Sequence, residues 1–259
     1  MNRHSVRRMA LAGVAAVSFV SSVYAAGEAA KPGSMASFPR GHYAALEKLP
    51  DWGGIWTINF PGVPGVKRET PELKGKYLAD FQAWQKDSQS RGGLAKKTTS
   101  NCTPPGMPYI MSVGQYPIEF MFTPGRVTTH HEAWMQWRVI YTDGRPHADI
   151  EPSFNGNSIG HWEGDTLVVD TVNIKTTVPL GPGILHSDKV HIVERIRLDP
   201  KNADTLLIQL TVEDPVALVK PYTNTLSFTR ARDQELLEFI CAENDRNPVD
   251  AEGDTTFKH

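Results

Sequence analysis

Apolar and polar residues alternate along much of the chain after residue 118, the period of two expected of strands with one buried face. Candidate strands fall at 118–123, 126–131, 134–141, 166–172, 190–198, 205–212, 225–229 and 236–241. Leu206, Ile208, Leu210 and Val212 share one face of their segment, and Val190, Ile192, Glu194 and Ile196 share one face of theirs. Turn-forming connectors separate these runs: Thr142-Asp143-Gly144-Arg145, Asn155-Gly156-Asn157, Glu163-Gly164-Asp165 and Asp199-Pro200-Lys201-Asn202. The clearest hairpin turns at Glu163-Gly164-Asp165 into the apolar run 166–172. An earlier strand is expected between Trp52 and Phe60, with Trp52, Trp56, Ile58 and Phe60 on one parity. One segment has a helical period instead. After Pro71, the spacing of Leu73, Tyr77, Leu78, Phe81 and Trp84 predicts a helix over 72–89 with an apolar packing face. The pattern predicts a mainly β fold: an antiparallel meander closing into a barrel, with one early α-helix. Closure removes the exposed edges that such a meander would otherwise present.

The first residues change the picture of where the protein works. Arg3, Arg7 and Arg8 precede an apolar, small-residue run that ends in Val23-Tyr24-Ala25, the succession of an export signal with its cleavage site. The run is shorter than a bilayer span. The expected organisation is a signal peptide over 1–25, a flexible lead-in over 26–49, one barrel domain over 50–247 and a polar tail over 248–259. The expected location is the periplasm or the secreted fraction, with no stable membrane insertion after cleavage. A net charge of −2 with no basic block argues against a nucleic-acid partner. The two cysteines, Cys102 and Cys241, read as a disulfide in an oxidising compartment or as two separately buried thiols.

Candidate chemistry is sparse. His130-His131-Glu132, His161, His186, Asp188 and His191 are ligand-rich, but neighbours in a strand face opposite ways and no compact ligand triad shares a parity, so no metal is expected. No G-x-S-x-G elbow and no G-x-G-x-x-G motif occurs. What survives is cofactor-free acid–base chemistry. Arg138 and Tyr141 would hold a carboxylate, Glu194 or His186 would carry a proton, and His161 with Asp170 would form an orienting pair. The alternatives stay open: Arg138 in an ion pair at the rim with Tyr141 in the core, and Glu194 ion-paired structurally. Strict alternation would separate Arg138 from Tyr141. Phe120, Phe122, Trp134, Trp137 and Trp162 would wall a site for a small aromatic or apolar molecule, or simply fill a core.

Several runs together resemble a large group of exported bacterial proteins. They include Pro50-Asp51-Trp52, Cys102-Thr103-Pro104-Pro105-Gly106-Met107-Pro108, Ile140-Tyr141-Thr142-Asp143-Gly144-Arg145, Gly160-His161-Trp162-Glu163-Gly164-Asp165 and Cys241-Ala242-Glu243-Asn244. The resemblance extends from about Pro50 to Asn244, and the group is similar in turn to decarboxylases of phenylcoumaran-type lignin dimers. That resemblance implies a cofactor-free lyase, a decarboxylase of a phenolic, lignin-derived acid. Phenolic acid decarboxylases, which are calycin-like barrels, offer the mechanistic analogy, and no catalytic residue is carried over from them. A periplasmic, lipocalin-like carrier of an apolar small molecule is the alternative. Several converging titratable groups would favour the enzyme, and an apolar lining with a single polar anchor would favour the carrier.

Overall fold

Nine strands close into a barrel in the computed structural model, which describes residues 42–93, 102–114 and 116–240. In chain order these are β1 (Ile55–Ile58), β2 (Ile118–Thr123), β3 (Arg126–His131), β4 (Gln136–Tyr141), β5 (Asn157–Glu163), β6 (Thr166–Val172), β7 (His191–Asp199), β8 (Asn202–Glu213) and β9 (Tyr222–Ala231). One α-helix, α1 (Gly75–Ser90), follows β1. The barrel closes where β1 pairs antiparallel with β9, Ile55 opposite Ala231 and Ile58 opposite Phe228. The mainly β barrel with one early helix is therefore the fold this chain adopts.

Alternation sets the inside. Ile192, Ile196, Leu206, Ile208 and Val212 are fully buried, and Leu167, Val169 and Ile140 meet them from β6 and β4. Trp52, Phe120, Phe122 and Trp162 pack edge-on or tilted at centroid distances of 5.3–5.8 Å. They fill the end of the barrel where β2–β3 and β5–β6 turn.

Some local expectations need correction. The first strand is shorter than its apolar run: Trp52 and Trp56 are buried, but Phe60 is 60% exposed beyond the strand end. The strand expected over 134–141 begins at Gln136, because Trp134 and Met135 take positive φ (56° and 49°) and turn the chain sharply out of β3. Residues 236–240 form no strand. The helix starts at Gly75 rather than at 72, and Leu78 on its apolar stripe is exposed, so the stripe packs only in part. Within the expected lead-in, Tyr43–Lys48 forms a 3-10 turn.

One departure from the meander breaks the continuity of the barrel wall. β4 and β5 are parallel and pair only at Ile140–Ser158 and Tyr141–Ile159. A parallel pair needs a crossover, here residues 142–156. The crossover enters β5 through Gly156 at φ 67°, where an added Cβ would lie 2.5 Å from the Val172 carbonyl oxygen. Backbone pairing of β4 with β5 stops there, and Asn155, just before β5, meets the Trp137 carbonyl oxygen through its side chain at 3.1 Å instead.

Candidate functional site: a slot in the barrel wall

Four strands aim polar side chains at one point inside the barrel. Arg138 on β4 donates from Nε to Ser158 Oγ at 3.1 Å, from Nη1 to Glu194 Oε1 at 3.1 Å and from Nη2 to Thr171 Oγ1 at 2.9 Å. Nη2 also donates to Glu194 Oε2, completing a bidentate pair. Both side chains are shut off from solvent, at 1% and 0% exposure. Ser158 and Thr171 hydrogen-bond each other at 2.9 Å. Glu194 is thus the structurally paired carboxylate rather than a free acid, and every guanidinium nitrogen is occupied. Such a pair is stable only with full hydrogen bonding, because desolvation of each ion offsets much of the attraction.

Beside it on β3, Thr129 Oγ1 and His131 Nε2 are 3.0 Å apart. His131 is fully buried, and its pKa is pushed down to about 3, first by desolvation and then by the positive charge of Arg138. The imidazole is neutral at neutral pH. Its Nδ1 has no partner.

Arg138 borders a slot on the crossover side of the wall, although its side chain stays shut off from solvent. A slot of about 280 Å³ is lined by Trp137, Arg138, Val139 and Tyr141 of β4, by Ile150 and 153–156 of the crossover, and by Asn157 and Ser158 of β5. Its rings are braced by neighbours. Trp137 stacks on His130 at 3.9 Å with planes 5° apart, Arg145 lies 3.9 Å over Tyr141, and Lys175 lies 4.9 Å over Phe154. Tyr141 and Arg138, which alternation puts on opposite faces, both border this slot.

The other expected residues lie elsewhere. His161 is exposed on β5, 3.2 Å from Glu163. Asp170 does not pair with it. Asp170 Oδ1 instead takes His147 Nε2 at 2.9 Å and His191 Nε2 at 3.0 Å on the outer face. His186 is buried before β7, its Nδ1 2.7 Å from the Ser187 carbonyl oxygen, and burial lowers its pKa. Ser187 in turn is held by Asp214, which accepts from its N–H at 2.7 Å and its Oγ at 2.8 Å. None of His161, Asp170, His186 and Glu194 lines the slot. Among the described residues no group of three or more His, Cys, Asp or Glu is arranged to hold a metal ion. Cys102 is not a free thiol; Cys241 lies outside the described residues, as does the expected signal peptide.

Sequence reasoning missed His147 and gave Asn155 and Asn157 only a turn role. His147 sits in an aperiodic crossover, 2.8 Å from Asn157 Oδ1, and that oxygen also accepts the Ala148 N–H at 3.1 Å. The one signal available was the pair of asparagines flanking Gly156, which marks a turn equally well.

No protein-family model and no curated protein matches the chain. Among solved structures, a Schistosoma mansoni fatty acid binding protein in complex with arachidonic acid is similar at 12% identity and a TM-score of 0.33, covering 71% of this chain and 98% of that one. A likeness at that level is one of barrel outline and says nothing about a ligand here.

Proposed function

We propose that this chain is an exported binding protein for a small aromatic molecule, held in the wall slot. The lining carries the reading. Trp137, Tyr141 and Phe154 supply rings, Val139 and Ile150 supply aliphatic surface, and the one permanent charge, Arg138, is already neutralised by Glu194. Turnover by acid–base chemistry needs a proton donor or acceptor within reach of the ligand, and no histidine or carboxylate is among the residues that line the slot. The export-like succession at 1–25 supports a place outside the cytoplasm. The test is ligand-observed NMR of the mature protein with small aromatics. Trp137 is 51% exposed, so Trp137→Ala leaves folding intact and weakens binding about tenfold or more, as loss of one stacking wall implies. Binding unaffected by that substitution refutes the slot as the site.

A cofactor-free decarboxylase of a phenolic acid is the second reading, and one observation favours it: Arg138 and Tyr141 share the slot. In that reaction the bond to the carboxyl carbon breaks, its electron pair passes into the ring system, CO2 leaves and a proton is returned to carbon. Incubation with a panel of phenolic acids, with and without chelator, tests it. Loss of CO2 by the wild type and not by Tyr141→Phe would establish the lyase over the carrier.

A further inference from the structure

Away from the slot, two backbone hydrogen bonds tie the chain after β1 to the rim of the barrel. Lys67 N–H donates to the Thr225 carbonyl oxygen at 3.0 Å, and Thr225 N–H donates to the Lys67 carbonyl oxygen at 2.8 Å. On β9 the inner face carries Asn224, opposite Leu210, and Leu226, opposite Ile208. Thr225 and its partner Lys67 therefore point outward, and Arg68, one residue on, falls on the inner parity. Arg68 and Asn224 border a small cavity of about 30 Å³, walled by the buried Pro108, Leu180, Leu210 and Leu226 and by Ser112.

The donors at this rim are unspent. Among the described residues the Arg68 guanidinium has no hydrogen bond and no ion pair. Part of the side chain stays in water, yet desolvation against the apolar rim lowers its pKa, and nearby Tyr109 offsets this only in part. The carboxylates next to it in sequence are engaged elsewhere. Glu69 accepts from Lys67 Nζ at 2.7 Å and from the Thr223 N–H at 3.0 Å, and Glu72 pairs with Lys220 at 2.6 Å. Asn224 Oδ1 accepts the Glu69 N–H at 2.8 Å, which fixes the amide and leaves Nδ2 as the group without a partner. That nitrogen is not shut off from solvent. A cation that has lost part of its water is ordinarily met by an opposite charge, and here the protein supplies none.

We propose that this rim is a second binding site, for the carboxylate head group of a small organic acid, held by the Arg68 guanidinium and by Asn224 Nδ2–H. A guanidinium matches the two oxygens of a carboxylate. The cavity has room for about two water-sized atoms, which suits a carboxylate and leaves the rest of the acid to extend outward. One cation among apolar walls balances one negative charge and not two.

The experiment titrates the mature protein with acetate, with acetamide as its neutral counterpart, and with inorganic phosphate, at constant pH and ionic strength, and follows leucine methyl groups by NMR. Acetate is expected to give saturable shifts at Leu180, Leu210 and Leu226 and to bind about tenfold or more tightly than acetamide, the size of one charge-assisted hydrogen bond. Arg68→Met keeps the apolar stem, removes the cation and weakens acetate about tenfold or more; Arg68 has no side-chain partner to lose, so folding is retained. Asn224→Asp still accepts from the Glu69 N–H but sets an anion in place of the donor, and it should abolish acetate binding. Should Asn224→Asp fold poorly by thermal melting, Arg68→Met and the wild-type probe series decide. Absence of saturable shifts, equal binding of acetamide, tighter binding of phosphate, or acetate binding indifferent to Arg68→Met each overturns the proposal. The rim shares no lining residue with the wall slot, so any of these results leaves the aromatic-binding role standing.

Discussion

Glu194→Gln is the sharpest test of how the barrel interior is held together. The substitution keeps the side-chain shape but replaces one carboxylate oxygen with an amide group that faces the Arg138 guanidinium donor to donor. Arg138 has no route to solvent, being 2% exposed, and keeps only Ser158 Oγ, Thr171 Oγ1 and one amide oxygen as acceptors. Removing one partner of a buried ion pair costs about 3–5 kcal/mol. The retained acceptor puts the expectation near the lower end, about 3 kcal/mol. For a domain of this size that is a fall in Tm of roughly 6–12 °C. Urea unfolding of the mature protein, followed by circular dichroism and tryptophan fluorescence, measures it. The double variant Arg138→Met/Glu194→Leu replaces both ions with apolar groups and is expected to fall within about 1.5 kcal/mol of the wild type. A loss below about 0.5 kcal/mol for Glu194→Gln would mean that the pair behaves like a solvated surface pair. A double variant that loses as much as Glu194→Gln alone, about 3 kcal/mol, would show instead that the paired ions stabilise the fold beyond the burial that apolar groups supply.

His131 makes stability fall with acid. Its folded-state pKa of about 3 lies below that of the unfolded chain, so the unfolded state takes up the extra proton. Stability is complete above about pH 6.5 and declines as pH falls towards 3, by up to about 5 kcal/mol; denaturation midpoints measured against pH should flatten in His131→Phe. Burial opposes ionisation of Asp214, but hydrogen bonds from Ser187, Ala217 and Val216 outweigh it and leave the pKa lowered. Asp214→Ala should cost about 2–4 kcal/mol and speed hydrogen exchange around 186–190 and 214–218; unchanged exchange would contradict that anchoring role. Cys102 and Cys241 are expected to be bridged, closing a loop worth about 4–5 kcal/mol in the chain-entropy estimate, and two thiols alkylated in the denatured, unreduced protein would refute this. The exported protein is expected to begin near Ala26, and an intact 1–25 segment by mass spectrometry would exclude that.

What the chain alone determined is local and periodic. Alternation placed β2, β3 and β6 to the residue and put Ile192, Glu194 and Ile196 on one inner face with Leu206, Ile208 and Leu210, all of them buried. The turn chemistry of Glu163-Gly164-Asp165 set the β5–β6 hairpin. These features depend on a residue and its near neighbours, so they can be read without a partner strand. The tertiary structure decided which strands lie side by side. Only the closed barrel brings Arg138 to Glu194 across an interval of 56 residues, which turns a lone carboxylate on an apolar face into a saturated ion pair. Only the parallel step from β4 to β5, with its crossover, sets a slot that Arg138 and Tyr141, opposite in parity, both border. Likewise the crossover brings His147 to Asp170 on the outer face, where His161 was the expected orienting partner. A crossover has no period, and its contacts come from where the barrel lets it lie.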